Sequence, residues 1–251
     1  MDAANLFAGK SVVYRQSRPG YPAECFDYLL ETAGVSAGDC AADVGAGTGL
    51  FTIGLLERGL RVYAVEPNDD MRREARQSLS AFPHCRVVPG AAEHTGLPAG
   101  SMALVTAAQA FHWFSAGAFQ AECRRILRPD GFAALVWNRR DEKSPLTREN
   151  AAICREFCPD FRGFSGGMDD SSARYAAFFR QGRYNVKEFP HPLTYTRDTF
   201  VNRNISSSYA PKPGDEAYYP FVEAVSALFS RYARDGQLIQ PNTVCCYIGR
   251  V

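Results

Sequence analysis

The sequence contains no run of eighteen apolar residues, so it offers no segment typical of a membrane-spanning helix. A surplus of one charge sign is also lacking, because 28 basic residues against 27 acidic ones give a formal net charge of +1. Such a balance is not typical of proteins that bind nucleic acid or anionic membranes. The first ten residues lack the basic region and apolar core of a secretory signal. These absences favour a cytoplasmic globular protein.

Cysteine occurs eight times, but the Cys-x-x-Cys pair of many metal and redox sites is missing. Cys154 and Cys158 share a helical face, yet no histidine or second cysteine pair stands nearby in the sequence to complete a zinc site. Cys245 and Cys246 are neighbours in a predicted strand, so their side chains point to opposite faces. We therefore expect eight reduced thiols, most of them packing groups, and no metal site.

Apolar runs of strand length alternate with helical patterns between residues 40 and 138. The pattern predicts strands at residues 40–44, 60–66, 85–90, 101–110 and 132–138, and helices at residues 49–59, 68–79 and 119–131. Strands that are apolar along their whole length are buried on both faces. The order therefore predicts an α/β fold in which helices cover both faces of a mostly parallel sheet.

The pattern outside this region is less regular. Helical character is predicted for residues 1–37 and 139–182, a strand for 184–196, an amphipathic helix for 220–236 and a last strand for 242–251. A chain of 251 residues suits one domain. We predict a single domain with an N-terminal lid segment (1–36), a cofactor-binding core (37–141), a cap and substrate region (142–240) and the last strand (241–251).

A glycine-rich loop, "VGAGTGLF", follows the first predicted strand and opens a helix. Gly45, Gly47 and Gly49 allow the backbone to turn sharply and to approach a ligand closely. The helix start offers free N–H groups to that ligand. Glu66 ends the second predicted strand, where a carboxylate can accept hydrogen bonds from both hydroxyls of a ribose. These features predict a site for an adenosine-containing cofactor.

Two positions near the loop discriminate between such cofactors. The dinucleotide fingerprint needs a small residue where Leu50 stands. Asp43 lies two residues before the first glycine, where its carboxylate would repel a pyrophosphate but would suit a cationic ligand. The residues therefore favour S-adenosylmethionine, whose amino group and sulfonium are positive, over a nicotinamide dinucleotide.

The loop resembles motif I of the class I S-adenosylmethionine-dependent methyltransferases, and "VEPNDDMR" is similar to the segment after their second strand. The segments "YRQSRPGYP", "PGAAEHTGLPAGSMALVTAAQAFHWF" and "LRPDGFAALVWNRRD" resemble the small-molecule branch akin to trans-aconitate methyltransferase. The likeness is strongest over residues 7–141. It implies a Rossmann-like sheet of seven strands in which the last, "TVCCYIGRV", runs antiparallel to the rest.

The resemblance also implies which residues hold the cofactor. Gly45 and Gly47 would face its methionine part, and Asp43 would lie close by. Glu66 would hold the ribose, and Ala92 would offer its backbone N–H to the adenine. The full implied set is Tyr14 and Arg18 of the lid, Asp43, Gly45, Ala46, Gly47, Gly49, Glu66, Pro67, Asn68, Ala91, Ala92, Glu93, Ala107, Gln109, His112 and Trp113. Position 91 departs from relatives, because an alanine side chain cannot bond the adenine amino group.

His112 is the candidate catalytic residue. It lies in "AAQAFHWFSA", after the fourth strand, at the sheet edge where parallel-sheet proteins bind ligands. Its ordinary pKa of about 6.5 suits a general base for a hydroxyl acceptor, whereas an ionised carboxylate acceptor needs none. The alternative is a scaffold role in which His112 caps the following helix. Trp113 is expected to form a wall of the cofactor site.

The substrate candidates are arginines that would hold an acidic acceptor bidentately. Arg18, Arg139, Arg140 and Arg203 lie near expected loops, and Tyr209 in "SSSYAP" is a candidate for lining the pocket. The sequence thus predicts in-line methyl transfer to a small-molecule oxygen nucleophile, with no nucleic-acid or membrane partner, in a monomer or homodimer. The alternatives are a non-catalytic S-adenosylmethionine-binding protein and, less favoured, an NAD(P)-dependent oxidoreductase.

Overall fold

The protein is described by a computed structural model over residues 20–164 and 172–251. The helices are α1 (Ala23–Ala33), α2 (Leu50–Leu56), α3 (Asp69–Ser78), α4 (Ala116–Ile126), α5 (Pro145–Phe157), α6 (Ser172–Phe178), α7 (Arg197–Ile205) and α8 (Tyr218–Tyr232). The strands are β1 (Cys40–Val44), β2 (Arg61–Val65), β3 (Cys85–Val88), β4 (Met102–Ala108), β5 (Leu127–Arg140), β6 (Asn185–Pro190), β7 (Leu193–Tyr195), β8 (Leu238–Gln240) and β9 (Asn242–Gly249). Short 3₁₀ turns lie at Phe111–Trp113 and Arg180–Gly182.

Seven of the strands form one sheet in the order β3-β2-β1-β4-β5-β9-β6. The neighbours from β3 to β5 pair in parallel, and β9 pairs antiparallel with both β5 and β6. Apolar side chains pack on both faces of the sheet and form two separate cores between the sheet and its helices. Leu29 and Leu55 belong to one core, and Phe111 and Phe119 belong to the other. The predicted Rossmann-like fold with an antiparallel last strand is confirmed.

The single strand predicted for residues 184–196 is wrong. The segment contains two strands in different sheets, because β6 pairs with β9 while β7 pairs with β8 in a separate two-stranded sheet. Pro192, which lies between the two strands, has no N–H for a sheet ladder and separates them. The helix predicted for residues 119–131 also ends earlier, at Ile126, and β5 begins at the next residue.

The cap has its own apolar core, formed mainly by α5, α7, α8 and β8. Cys154, Phe200, Phe221 and Leu228 are buried in it. The cap is joined to the sheet through the end of β5, which leads into α5. Because the carboxyl ends of parallel strands lie at one edge of a sheet, this connection brings the cap to the edge that carries the glycine loop.

All eight cysteines lie in the described part of the chain and are free thiols, six of them buried. Within residues 20–164 and 172–251, the helices are too short or too polar to cross a bilayer.

Candidate functional site

The three loop glycines all have left-handed backbones, with φ of +70° at Gly45, +57° at Gly47 and +86° at Gly49. A Cβ on Gly45 would lie 2.6 Å from Cβ of Ala110, and one on Gly49 would lie 2.7 Å from Cδ1 of Leu79. A Cβ on Gly47 would meet no atom within 4 Å. Gly45 and Gly49 thus let the loop pack against its neighbours, whereas Gly47 faces open space that a ligand can enter.

Glu66, the residue after β2, joins this loop to α3. Its side chain is buried, and its carboxylate accepts hydrogen bonds from the N–H groups of Gly47 and Asn68, each at 2.9 Å. Burial raises the pKa of Glu66, and the two N–H bonds and the nearby Arg72 oppose that rise. Each carboxylate oxygen keeps a further lone pair with which it can accept a hydroxyl. Ala46 and Pro67 lie beside these two backbone donors in the chain.

Asp43 lies beneath the loop rather than on its open side. Its carboxylate is 1% exposed and accepts hydrogen bonds from Oγ1 of Thr52 at 2.6 Å and from Oγ1 of Thr106 at 2.9 Å. Burial raises the pKa of Asp43 to about 6, although the two hydroxyls favour the ionised form. The carboxylate would therefore act on a ligand at the loop through its charge rather than by direct contact. Sequence reasoning missed both threonines, which lie 9 and 63 residues away.

A tight turn after β3 contains the residues expected at the adenine. Ala91 and His94 exchange backbone hydrogen bonds of 3.2 and 3.1 Å, with Ala92 buried between them. Glu93 is exposed, and its carboxylate accepts a hydrogen bond from the N–H of Ser115 at 2.8 Å. The turn is thus attached to the start of α4.

Glu122 of α4 holds Thr95, the residue that follows this turn. This role was not predicted from the sequence. Its carboxylate accepts hydrogen bonds from both the N–H and Oγ1 of Thr95 and pairs with Arg125 at 2.7 Å. The Arg125 bond is the main reason that the pKa of Glu122 falls to about 2. The spacing of three between Glu122 and Arg125 on one helix was the available signal.

The chain turns sharply after β4. Ala107 is fully buried in the strand, and Gln109 has a φ of +56°, which is uncommon for a residue with a side chain. The backbone N–H and the side-chain amide of Gln109 donate to the carbonyls of Val136 and Asn138, both at 2.9 Å. These bonds to β5 hold the strained residue at the ligand-binding edge, where such conformations often have a function.

His112 and Trp113 follow this turn in the 3₁₀ segment. The imidazole lies between two indoles, with ring centroids 4.5 Å from Trp113 and 5.5 Å from Trp137. Trp113 is 43% exposed, so it is available as a wall of the site. The N-cap position of α4 is Ser115, three residues beyond His112, so a scaffold role for His112 would not be that of a helix cap.

The substrate candidates are divided between two environments. Arg139 donates to the hydroxyls of Tyr247 at 2.8 Å and Tyr175 at 3.3 Å. Arg140 lies in the cap, with its guanidinium carbon 3.8 Å from the ring centroid of Phe164. Adjacent strand residues point to opposite faces, which explains the separation. Arg203 and Tyr209 belong to the cap side with Arg140, whereas Tyr14 and Arg18 lie outside the described residues.

The comparisons with known proteins agree with this geometry. Residues 42–135 match a family model described as a methyltransferase domain. An uncharacterized methyltransferase of Mycobacterium tuberculosis is 39% identical over 152 residues, which cover 61% of this chain and 60% of the relative. An uncharacterized methyltransferase-like protein of Schizosaccharomyces pombe is 30% identical over 174 residues, covering 66% of this chain and 67% of that protein.

A solved structure, that of a putative type II methyltransferase from Anaeromyxobacter dehalogenans, superposes with a TM-score of 0.68 at 25% identity. The superposition covers 93% of this chain and 97% of that one. The sequence match spans about three fifths of the length of the mycobacterial relative. These methyltransferases use S-adenosylmethionine as their cofactor, which contradicts the alternative of an NAD(P)-dependent oxidoreductase. The fold, the glycine loop and the relatives together show that the chain belongs to the class I S-adenosylmethionine-dependent methyltransferases.

Proposed function

We propose that the protein transfers a methyl group from S-adenosylmethionine to an oxygen of a small-molecule acceptor, either a carboxylate or a hydroxyl. The observation that carries the proposal is the open side of Gly47, whose backbone N–H is held at 2.9 Å by the buried carboxylate of Glu66. When bound, S-adenosylmethionine supplies a methyl group on a positively charged sulfur, which is a good leaving group. The task of the protein is then to align the acceptor and to exclude water.

The residues present fit this cofactor. Glu66 would hold the ribose through the lone pairs that its two backbone bonds leave free. The turn that contains Ala92 would present its backbone to the adenine. Trp113, which is 43% exposed, would cover part of the cofactor and keep water out. Asp43 would favour a cationic ligand from beneath the loop, since a carboxylate with a pKa of about 6 is largely ionised at neutral pH.

The chemistry required of His112 depends on the acceptor. A carboxylate is ionised at neutral pH, so its oxygen can form the new bond without a base. A hydroxyl must lose a proton, for which His112 is the candidate at this edge of the sheet.

The motifs within residues 7–141 resemble those of the small-molecule branch akin to trans-aconitate methyltransferase. This resemblance supports a small-molecule acceptor. The near-zero net charge supports the same choice over nucleic acid. Eight free thiols support a reducing compartment and hence a cytoplasmic location. We also propose that the protein acts as a monomer or homodimer.

The activity can be tested with S-adenosylmethionine that carries a trideuterated methyl group, incubated with purified protein and a broad small-molecule extract. We expect labelled products by mass spectrometry. Alkaline hydrolysis should release the label from methyl esters but not from methyl ethers. Protein that binds S-adenosylhomocysteine but labels no product would contradict the proposal and favour the non-catalytic binding protein.

Replacing His112 with asparagine distinguishes the base from the scaffold. On a hydroxyl acceptor we expect kcat to fall by about 10²–10⁴-fold, the usual contribution of a general base. The affinity for S-adenosylhomocysteine, measured by calorimetry, should stay unchanged, and a carboxylate acceptor should be turned over at nearly the wild-type rate. A loss of cofactor affinity with both acceptors would refute the base role and support the scaffold.

A further inference from the structure

The cap contains a group of side chains that cofactor binding does not use. We call it the Arg140 cluster, and it consists of Arg140, Cys154, Phe161, Phe164 and Tyr209. The guanidinium of Arg140 stacks on the ring of Phe164, whose centroid is 5.3 Å from that of Phe161. The Phe161 ring in turn meets Tyr209 edge to face, with centroids 4.9 Å apart. A row of three aromatic rings thus extends from the side chain of Arg140, at the end of β5.

One nitrogen of the Arg140 guanidinium, Nη1, is buried without an acceptor within the described part of the chain. No ion pair of Arg140 occurs among residues 20–164 and 172–251 either. Guanidinium groups stay protonated in proteins, and a buried donor without an acceptor is costly. The cluster is therefore a cationic site that an anion would complete.

The neighbouring groups do not neutralise this cation. Burial raises the pKa of Cys154 to about 11, so its thiol stays protonated at neutral pH. Burial also raises the pKa of Tyr209, although Arg140 and Arg203 favour the ionised form. Tyr209 therefore stays a neutral phenol. Neither Cys154 nor Tyr209 supplies a negative charge to Arg140.

Further polar groups lie on the face of α5 that carries Cys154. Thr147 and Asn150 precede Cys154 by seven and four residues, which places all three on one side of the helix. Both are buried, and Oγ1 of Thr147 and Nδ2 of Asn150 have no hydrogen-bond partner among the residues described. These groups could serve a polar ligand at the same side of the cap.

We infer that the methyl acceptor is an aromatic carboxylic acid whose carboxylate pairs with Arg140 and whose ring packs beside Phe164 and Tyr209. This inference rests on the proposed function, and it narrows the acceptor from any oxygen nucleophile to an anion of this class. A guanidinium matches a carboxylate with two parallel N–H donors. Flat apolar surface beside that pair suits a ring and excludes water from the ion pair.

The test is calorimetric titration with benzoate in the presence of saturating S-adenosylhomocysteine. Wild-type protein should bind benzoate, and the neutral analogue benzamide should bind at least about tenfold more weakly because it cannot replace the charged hydrogen bonds. Arg140→Gln should weaken benzoate binding by at least about tenfold, and Arg140→Lys, which keeps the charge but not the two-donor geometry, should give an intermediate loss.

Arg86→Gln is the matched control, because Arg86 is an exposed arginine on the edge strand β3, four strands from β5. It should bind benzoate as the wild type does, and all variants should keep the wild-type affinity for S-adenosylhomocysteine. Absence of benzoate binding, equal binding of benzamide, or unchanged binding in both Arg140 variants would overturn the inference. Wild-type protein that does not bind S-adenosylhomocysteine would overturn the proposed function itself, so the two failures are distinguishable.

Discussion

Replacing Glu66 with alanine should weaken the binding of S-adenosylhomocysteine by about 1–3 kcal/mol, because hydrogen bonds to a charged group are lost. The structure gives two reasons for the loss. The variant lacks the carboxylate lone pairs that would accept the ribose hydroxyls. It also loses the two backbone bonds, each of 2.9 Å, that hold Gly47 and Asn68 in place. Titration calorimetry of the wild type and the variant gives the difference directly.

Glu66→Gln separates the charge of this side chain from its shape. An amide can accept one of the two backbone N–H bonds, but its NH₂ group would face the other donor. We expect an affinity between those of the wild type and the alanine variant. Glu57→Ala removes an exposed carboxylate at the end of α2 and should leave the affinity unchanged. Equal affinities of wild type and Glu66→Ala would refute the placement of the ribose at Glu66.

The core of the fold could be predicted because local pattern and tertiary environment agree there. Strands β1, β2 and β4 are mostly buried and consist mostly of apolar residues. The glycine loop gives an equally local signal, since its positive φ angles require glycine or nearly so. The start of α3 could also be predicted, because asparagine is a favoured N-cap residue, and the side chain of Asn68 accepts a hydrogen bond from the N–H of Met71.

The cap could not be predicted to the same degree, because its structure depends on distant contacts. Strands β7 and β8 have three residues each and pair across more than forty residues of sequence. Neighbouring side chains on β5 show the same difficulty. The sequence offered Arg139 and Arg140 as equal candidates, but only the register with β9 decides that Arg139 meets Tyr247 while Arg140 enters the cap.

The backbone of the candidate site could be predicted from the sequence, whereas several of the side chains that support it could not. The positions of Gly47 and Glu66 follow from the strand–loop–helix pattern. The hydroxyls of Thr52 and Thr106 around Asp43, and the contact of Glu122 with Thr95, depend on how separate elements pack. Thr52 and Thr106 leave no periodic signal in a single sequence, since each is one polar residue in an otherwise apolar element.

Alanine at Gly45 should destabilise the protein by about 2–5 kcal/mol, because a left-handed backbone conformation and an overpacked contact both contribute. The new Cβ would lie 2.6 Å from Cβ of Ala110 and 3.0 Å from Cζ of Phe114. Ala110 cannot rotate away, so the backbone after β4 must move. Alanine at Gly47 should cost only about 1–2 kcal/mol, since its φ of +57° is strained but its Cβ meets no atom within 4 Å.

The two variants should therefore separate folding from binding. Thermal unfolding should show the larger loss of stability for Gly45→Ala. Calorimetry with S-adenosylhomocysteine should show the loss of affinity for Gly47→Ala, because its methyl group enters the space assigned to the cofactor. Gly100→Ala is the control: its φ of +63° is similar and its Cβ is equally unobstructed, but it lies in the turn before β4. It should lose as much stability as Gly47→Ala and keep its affinity, and equal affinities in these two variants would mean that the open side of Gly47 is not a ligand surface.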